Sequence, residues 1–581
     1  MKCLIFLFLF SLAFAVKGQI NGVYTEKDTL KYGYRSSGAI DSMDLKVSGI
    51  LTNIPGGSFG NQTYLTNDFL MNHSQFQLLQ GNTLAPSFKF SALPHIGFNY
   101  SFGSKGTQLL NVDYEQAFKK NVLLNVFINQ NSSQGILKNS DFTSRSFQLN
   151  LRRNGKFYSF KLVGNYSYKK TKLNGGVYND STILSNGLEY VNVLSSMANK
   201  TYSEQKDVNL LIDNHFNVLK DSLRYLGLIT RHHLKIDNRV YNEQMTSLSN
   251  YNHYYIDSFI TRDQFQLASL KNGAGIFTKL RNVYVDALLN YRYWNTQNSS
   301  IHQDTSEIDL SSSLKVLNKK YSLVNSFNFN LIGAKNEWSN ETSISTKISK
   351  LHASIYGKVE QKLPIPFQRY YYSNNYATTL SNYQLQSRIF VDGSLKYVFD
   401  SLKQIGIEAS SLTMSNNYFF IDSAWRNDTL KSFSNTTLTV FGSYTFHKIT
   451  IQPRCIFSFP TSNFQYVPKY NLNARIFRKG RAFKSKKLEY IYGADVSWIS
   501  DYKLMNYNRV LDVMTLNQSK SSIESMVNVG AFFGITINEF RMYARMSNIG
   551  YFWNNRLNQQ LVGYPIQKNL IQLGITWDFF N

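Results

Sequence analysis

From about residue 96 onward the chain alternates between apolar and polar positions. At the C-terminal end Ile571, Leu573, Ile575, Trp577 and Phe579 share one side, and Gln572, Gly574, Thr576 and Asp578 the other. A period of two predicts a strand with one oily and one wet face. The same pattern recurs upstream. Ile96, Phe98, Tyr100 and Phe102 form a face, as do Leu110, Val112 and Tyr114, and then Val122, Leu124, Val126 and Ile128. Phe147, Leu149 and Leu151 lead through Asn154-Gly155, a hairpin signal, into Phe160, Leu162, Gly164 and Tyr166. Further alternating runs lie around 285–293, 308–331, 385–397, 438–457 and 527–546.

The connections sort by parity. Tight turns are expected near Asn154, Lys220, Asn282, Asn318, Lys350, Ser401, His447 and Asn538; long polar ones at 170–204, 242–262, 362–383, 421–434, 501–524 and 551–567. Short turns at one end and long loops at the other are the rule for barrels of the outer membrane. Strands of roughly 9–14 residues suit a tilted crossing. The fold class expected is therefore all-β, a transmembrane antiparallel up-and-down β-barrel of about 22 strands (range 18–24, an even number). A sheet in lipid cannot leave an edge unpaired. Hence the C-terminal strand, with Leu573, Ile575, Trp577 and Phe579 turned to lipid, must close the ring on the first.

Composition supports this picture. Aromatic residues make up 15% and charged residues 17% of the chain, with 9 prolines. Soluble domains carry about 25% charged residues, and proline disrupts central strands. Met1-Lys2 and the apolar run from Leu4 to Phe14 predict a secretory signal peptide over 1–18, cleaved before Gln19 or, alternatively, after Ala15. After it no stretch is long and apolar enough for a transmembrane helix, and one cysteine, Cys455, remains, so no internal disulfide is expected. Residues 19–94 alternate weakly and carry turn clusters such as Pro55-Gly56-Gly57. They are expected to lie in the periplasm or in the lumen, with the barrel occupying 95–581. The net charge is +25, falling to +23 once Lys2 and Lys17 leave with the signal. Basic loops facing lipopolysaccharide, and a basic pore, both account for it, and no nucleic-acid motif accompanies it.

Ser101–Val112, Phe147–Gly176 and the tail from Gly563-Tyr564-Pro565 through Leu573-Gly574-Ile575-Thr576-Trp577-Asp578-Phe579 resemble the putative porins of the Bacteroidota. The resemblance implies an outer-membrane β-barrel presumed to be a porin. It brings no catalytic motif and no cofactor.

Candidate chemistry is sparse. His232-His233 is the one histidine pair, and neighbours on a strand face opposite ways, so they cannot share a metal. Gly56-Gly57 and Gly175-Gly176 are turn glycines. Cys455 is phased with Ile449 and Ile451, towards lipid. No catalytic residue, metal or cofactor is expected, and the protein is not expected to be an enzyme. The positions opposite the oily faces are expected to line a pore: Lys161, Arg292, Lys315, Arg388, Lys396, Arg475, Arg541 and Arg545, against Asp286, Asp309, Asp392 and Asp578. An open lumen so lined would mildly prefer anions; alternatively the charges pair across strands and rigidify the wall. The function expected is passive diffusion of small polar solutes. The alternatives are a plugged or gated transporter and a surface-binding barrel. Expected partners are outer-membrane lipid and lipopolysaccharide, the barrel-assembly machinery and small polar solutes, with no nucleic acid; the oligomeric state stays open.

Overall fold

The computed structural model describes residues 91 and 93–580, apart from 119–120, 136, 138, 177–200, 221–223, 245–250, 319, 335, 381–382, 401–402, 428–430, 485–486, 517–521, 524, 550–558 and 566–569. The expected signal peptide and nearly all of the 19–94 segment lie outside the described residues.

Twenty-two antiparallel strands form one ring. In chain order they are β1 His95–Gly103, β2 Thr107–Phe118, β3 Val122–Ser133, β4 Phe142–Arg153, β5 Tyr158–Lys172, β6 Tyr202–Lys220, β7 Arg224–Gln244 and β8 Ile260–Leu280. Next come β9 Val283–Asn298, β10 His302–Leu317, β11 Tyr321–Ile332, β12 Trp338–Ile348, β13 Leu351–Lys362, β14 Gln386–Val398 and β15 Gln404–Ser415. The last seven are β16 Ser432–Phe446, β17 Ile449–Pro460, β18 Tyr470–Ala482, β19 Leu488–Ile499, β20 Met526–Ile537, β21 Phe540–Ser547 and β22 Leu570–Phe580. Each pairs with the next, and β22 pairs with β1 in a register running from His95↔Phe580 to Gly103↔Gln572. Among the described residues no helix is long and apolar enough to cross a membrane; the crossing is made by strands.

The expected oily faces are the outer surface. Ile96, Phe102, Phe147, Tyr166, Leu289 and Val391 are exposed there, as are Leu573, Trp577 and Phe579 of the closing strand. At the seam Ile96, Phe98, Tyr100 and Phe102 stand opposite Phe579, Trp577, Ile575 and Leu573, and the Trp577 and Phe579 rings stack at 4.4 Å. The ring is thus shut by an apolar ladder on the outside and by the backbone ladder that lipid demands. A direct check is the double variant Asn99→Cys with Thr576→Cys, in a chain also carrying Cys455→Ser. Facing residues in an antiparallel pair lie about 4.5–5.5 Å apart at Cα, within disulfide reach. The oxidised protein is expected to stay compact in hot detergent on a gel, where the reduced form runs extended. Absence of the cross-link would mean the first and last strands do not meet in this register.

At one rim no turn exceeds five residues, whereas the other carries loops 173–201, 363–385, 500–525 and 548–569. Two details differ from expectation. The Asn154-Gly155 hairpin forms, but through a four-residue turn, and Gly155 keeps a negative φ. Glycine is needed there because a Cβ would sit 2.1 Å from the Tyr158 carbonyl oxygen. The tight turn at His447-Lys448 instead puts two non-glycine residues at positive φ, 46° and 74°, as a two-residue hairpin of right-handed twist requires. Strands β6 to β10 run 16 to 21 residues, beyond the 9–14 expected. They continue as a paired ladder past the part that lipid covers.

Candidate functional site

The inner wall follows from the same alternation: every residue between two outward apolar ones points into the barrel. All eight cations singled out in the sequence stand on this side. Their grouping is more specific than alternation alone could indicate, because single carboxylates are shared by several cations. Asp213 lies 2.7 Å from Arg231 and 3.6 Å from Lys161. Glu360 lies 2.8 Å from Lys362, 3.3 Å from Arg388 and 3.5 Å from Lys358. Asp495 lies 2.7 Å from Arg475 and 3.1 Å from Arg545. Arg292 reaches Glu307 at 3.6 Å, and Lys315 sits over the Tyr284 ring. Lys396 faces His352, and Arg541 faces Thr576 and Thr536. Of the anions, Asp309 takes Lys271 at 2.7 Å and Asp286 accepts from the Ser313 hydroxyl. Asp392 faces Tyr356 and Ser410. The wall is therefore stapled, yet each shared node keeps a positive surplus.

Asn328, Glu341 and Arg454 are exposed on the inward side. Asn328 and Glu341 lie near the short connection at 333–337.

The long loops fold into the bore. Residues 506–515 form a β-hairpin, Asn506–Asn508 paired with Val513–Thr515, in the connection between β19 and β20. Its tip meets the inner face of β7 and β8. Eight strands separate the two places one way round the ring and ten the other, so the hairpin crosses nearly the full diameter. Arg509 binds Glu243 at 2.7 Å, and Glu243, 1% exposed, also accepts from Tyr241 at 2.8 Å and Tyr251 at 2.5 Å. Burial pushes the Tyr251 phenol well above its usual range, so it stays a donor. The Arg239 guanidinium donates to the Val510 carbonyl, and Asn508 donates to the Tyr376 hydroxyl at 3.3 Å. Leu511 and Val513 pack with Phe265 and Leu267 of β8.

Other loops buttress this crossbeam. In loop 363–385 a single helical turn, α1 (Pro366–Arg369), sets Phe367 edge-on to Phe265 at 5.0 Å. The Asn374 side chain accepts from the Ile256 and Asp257 amides and donates to Thr261, while its own amide donates to Asp263. That one amide knots two loops to the wall. Phe420 and Trp425 of loop 416–431 meet edge-on and pack into the same cluster, and Tyr507 meets Tyr564 of loop 548–569.

Sequence reasoning treated these loops as polar and external and missed the crossbeam. A signal existed: Val510, Leu511, Val513, Met514 and Leu516 are too apolar for a loop in water. Phe265, Leu267, Leu412 and Met414 also break the polar side of their strands near the long-loop rim.

His95, Asp113 and Glu115 were not singled out either. Their ligand atoms lie within 4.8 Å of one another. However, His95 Nε2 is 3.3 Å from Asp578 and Nδ1 is 3.8 Å from Glu115. With both ring nitrogens facing carboxylates, the imidazole suits a staple across β22, β1 and β2 better than a metal ligand. His232 faces outward to Asn272 and His233 inward to Asn209, which separates the pair.

Comparison with known proteins gives one family and a set of folds. The family described as "Putative porin" matches residues 61–581. No curated protein sequence matches the chain. Among solved structures, the ferric enterobactin receptor PfeA of Pseudomonas aeruginosa is 10% identical, with a TM-score of 0.58, covering 84% of this chain and 82% of that one. The FrpB iron transporter of Neisseria meningitidis is 10% identical at 0.57, covering 86% and 83%. BauA, the ferric preacinetobactin receptor of Acinetobacter baumannii, is 12% identical at 0.51, covering 84% and 80%. At such identity the likeness is one of fold, a large outer-membrane barrel.

Proposed function

We propose, starting from the fact that the chain belongs to the putative-porin family, that this outer-membrane barrel carries small polar solutes down their gradient through a lumen held narrow by its own hairpin. The observation that carries the reading is the 506–515 crossbeam, anchored on the far wall by Arg509 and Glu243. A polar, charged inner wall suits polar cargo. A bar across the bore, held by one ion pair, a few hydrogen bonds and the packing of Leu511 and Val513, suits a channel that is restricted at rest. The role of the chain is transport, and no step of bond making or breaking is assigned to it. The resemblance in fold to ferric-siderophore receptors favours a gated route over an always-open one. It does not extend to their cargo.

Selectivity follows from the shared nodes. Where two or three cations surround one carboxylate, the local field favours anions modestly. Under a salt gradient in planar bilayers, the reversal potential is expected to indicate anions permeating about twofold better than cations. Lys358→Gln with Lys362→Gln, which strips the Glu360 node to one cation, is expected to bring that ratio towards one. Cation selectivity in the unmodified protein would defeat the assignment. The reading as a channel is tested separately by swelling of proteoliposomes in small sugars and amino acids. Slow swelling that accelerates when the hairpin is removed supports it.

A further inference from the structure

The positive charge of this protein is not spread evenly. The ten short turns contain twelve Lys and Arg against three Asp and Glu. The five longest loops, 173–201, 363–385, 416–431, 500–525 and 548–569, contain nine against seven. Among the connections, the surplus therefore lies at the short-turn rim.

At that rim the cations have a constant companion. Lys156 lies beside Phe157, Arg281 beside Leu280, Lys320 near Leu317, Lys350 near Ile348, Lys448 near Phe446 and Lys484 beside Phe483. All six cations are exposed, and the neighbouring apolar side chains are exposed as well, Phe157 at 70% and Phe483 at 78%. The ammonium of Lys156 sits 5.3 Å from the Phe157 ring centre. Arg281, Lys448 and Phe483 take positive φ in these turns.

An apolar side chain at the edge of the hydrocarbon with a cation one step further out matches the two layers of a lipid leaflet, acyl chain and phosphate. A soluble acidic protein would meet the cations but leave the exposed rings unmatched. We infer that the short-turn rim is a collar that binds the anionic headgroups of phospholipids in the leaflet it faces, the periplasmic one by the barrel rule.

The test uses the full-length protein in phosphatidylcholine bilayers with spin-labelled phosphatidylglycerol or phosphatidylcholine as probe, comparing how strongly each is held at the protein surface. Phosphatidylglycerol is expected to be preferred about threefold, and the preference to decline as salt rises. A variant with Lys156, Arg281, Lys320, Lys350, Lys448 and Lys484 all changed to Gln is expected to lose most of the preference. Lys431→Gln with Lys469→Gln, at the opposite rim, is expected to keep it. Folding of each variant is read from its heat-dependent gel mobility, and the salt series on the unmodified protein stands even if the sixfold variant fails to fold. No preference in the unmodified protein, a preference indifferent to salt, or one lost only with Lys431 and Lys469 overturns the inference. The first of these outcomes would leave the collar to a macromolecular partner.

Discussion

Replacing residues 506–515 by a short Gly-Ser link is expected to raise single-channel conductance and proteoliposome swelling several-fold. The hairpin spans the bore and touches the far wall, so its removal widens the path without touching a barrel strand. Arg509→Ala should act in the same direction through the anchor alone. Removing one partner of a buried ion pair leaves the other charge uncompensated, at a cost of about 3–5 kcal/mol. Tyr241 and Tyr251 still serve Glu243, so about 3 kcal/mol is the more reasonable figure, which shifts the docked-to-undocked ratio by about a hundredfold. The expected signature is a channel that flickers open where the unmodified one stays at low conductance. If the excised variant conducts no better than the parent, the hairpin does not limit the path. A second excision, of residues 19–94, then distinguishes a block by the N-terminal segment from a barrel that does not conduct at all.

The second large effect concerns the seam. Ile575 lies midway along β22, facing outward between Tyr100 of β1 and Met542 of β21. Ile575→Arg places a guanidinium against acyl chains where a charge costs about 2–4 kcal/mol, on the strand that must find β1 for the ring to close. The folded, heat-resistant fraction after refolding into bilayers is expected to drop sharply. Asn328→Arg, which projects into the lumen, is the matched control and is expected to fold as the parent does. Equal loss in both variants would mean that the outward face of β22 does not meet lipid.

These two cases differ in how far they could be read from sequence. The seam was legible because each strand carries its own label: alternation states which side is oily, and closure follows from the cost of an unpaired edge in lipid. The strand number and the sorting of turns by length came from the same local signals. The crossbeam was not legible, because Arg239 and Val510 are 271 positions apart and no local rule links them. Its trace in the sequence was indirect, an apolar tip in a loop and apolar residues such as Phe265 and Met414 on the side expected to be wet. Likewise the eight inward cations were identifiable singly, but not that Glu360 or Asp495 would gather several of them. The His95 staple escaped because Asp578 is 483 positions away and only closure of the ring brings the two together.

The extra length of β7 has a consequence for where closure occurs. Glu243 is the twentieth of its 21 residues counted from the short-turn end, whereas about 9–11 residues suffice to traverse the hydrocarbon. The docking point of the hairpin therefore stands well clear of the acyl chains, at the long-loop rim. Bilayer thickness therefore has no purchase on it, and its hold is set by the loops packed around it.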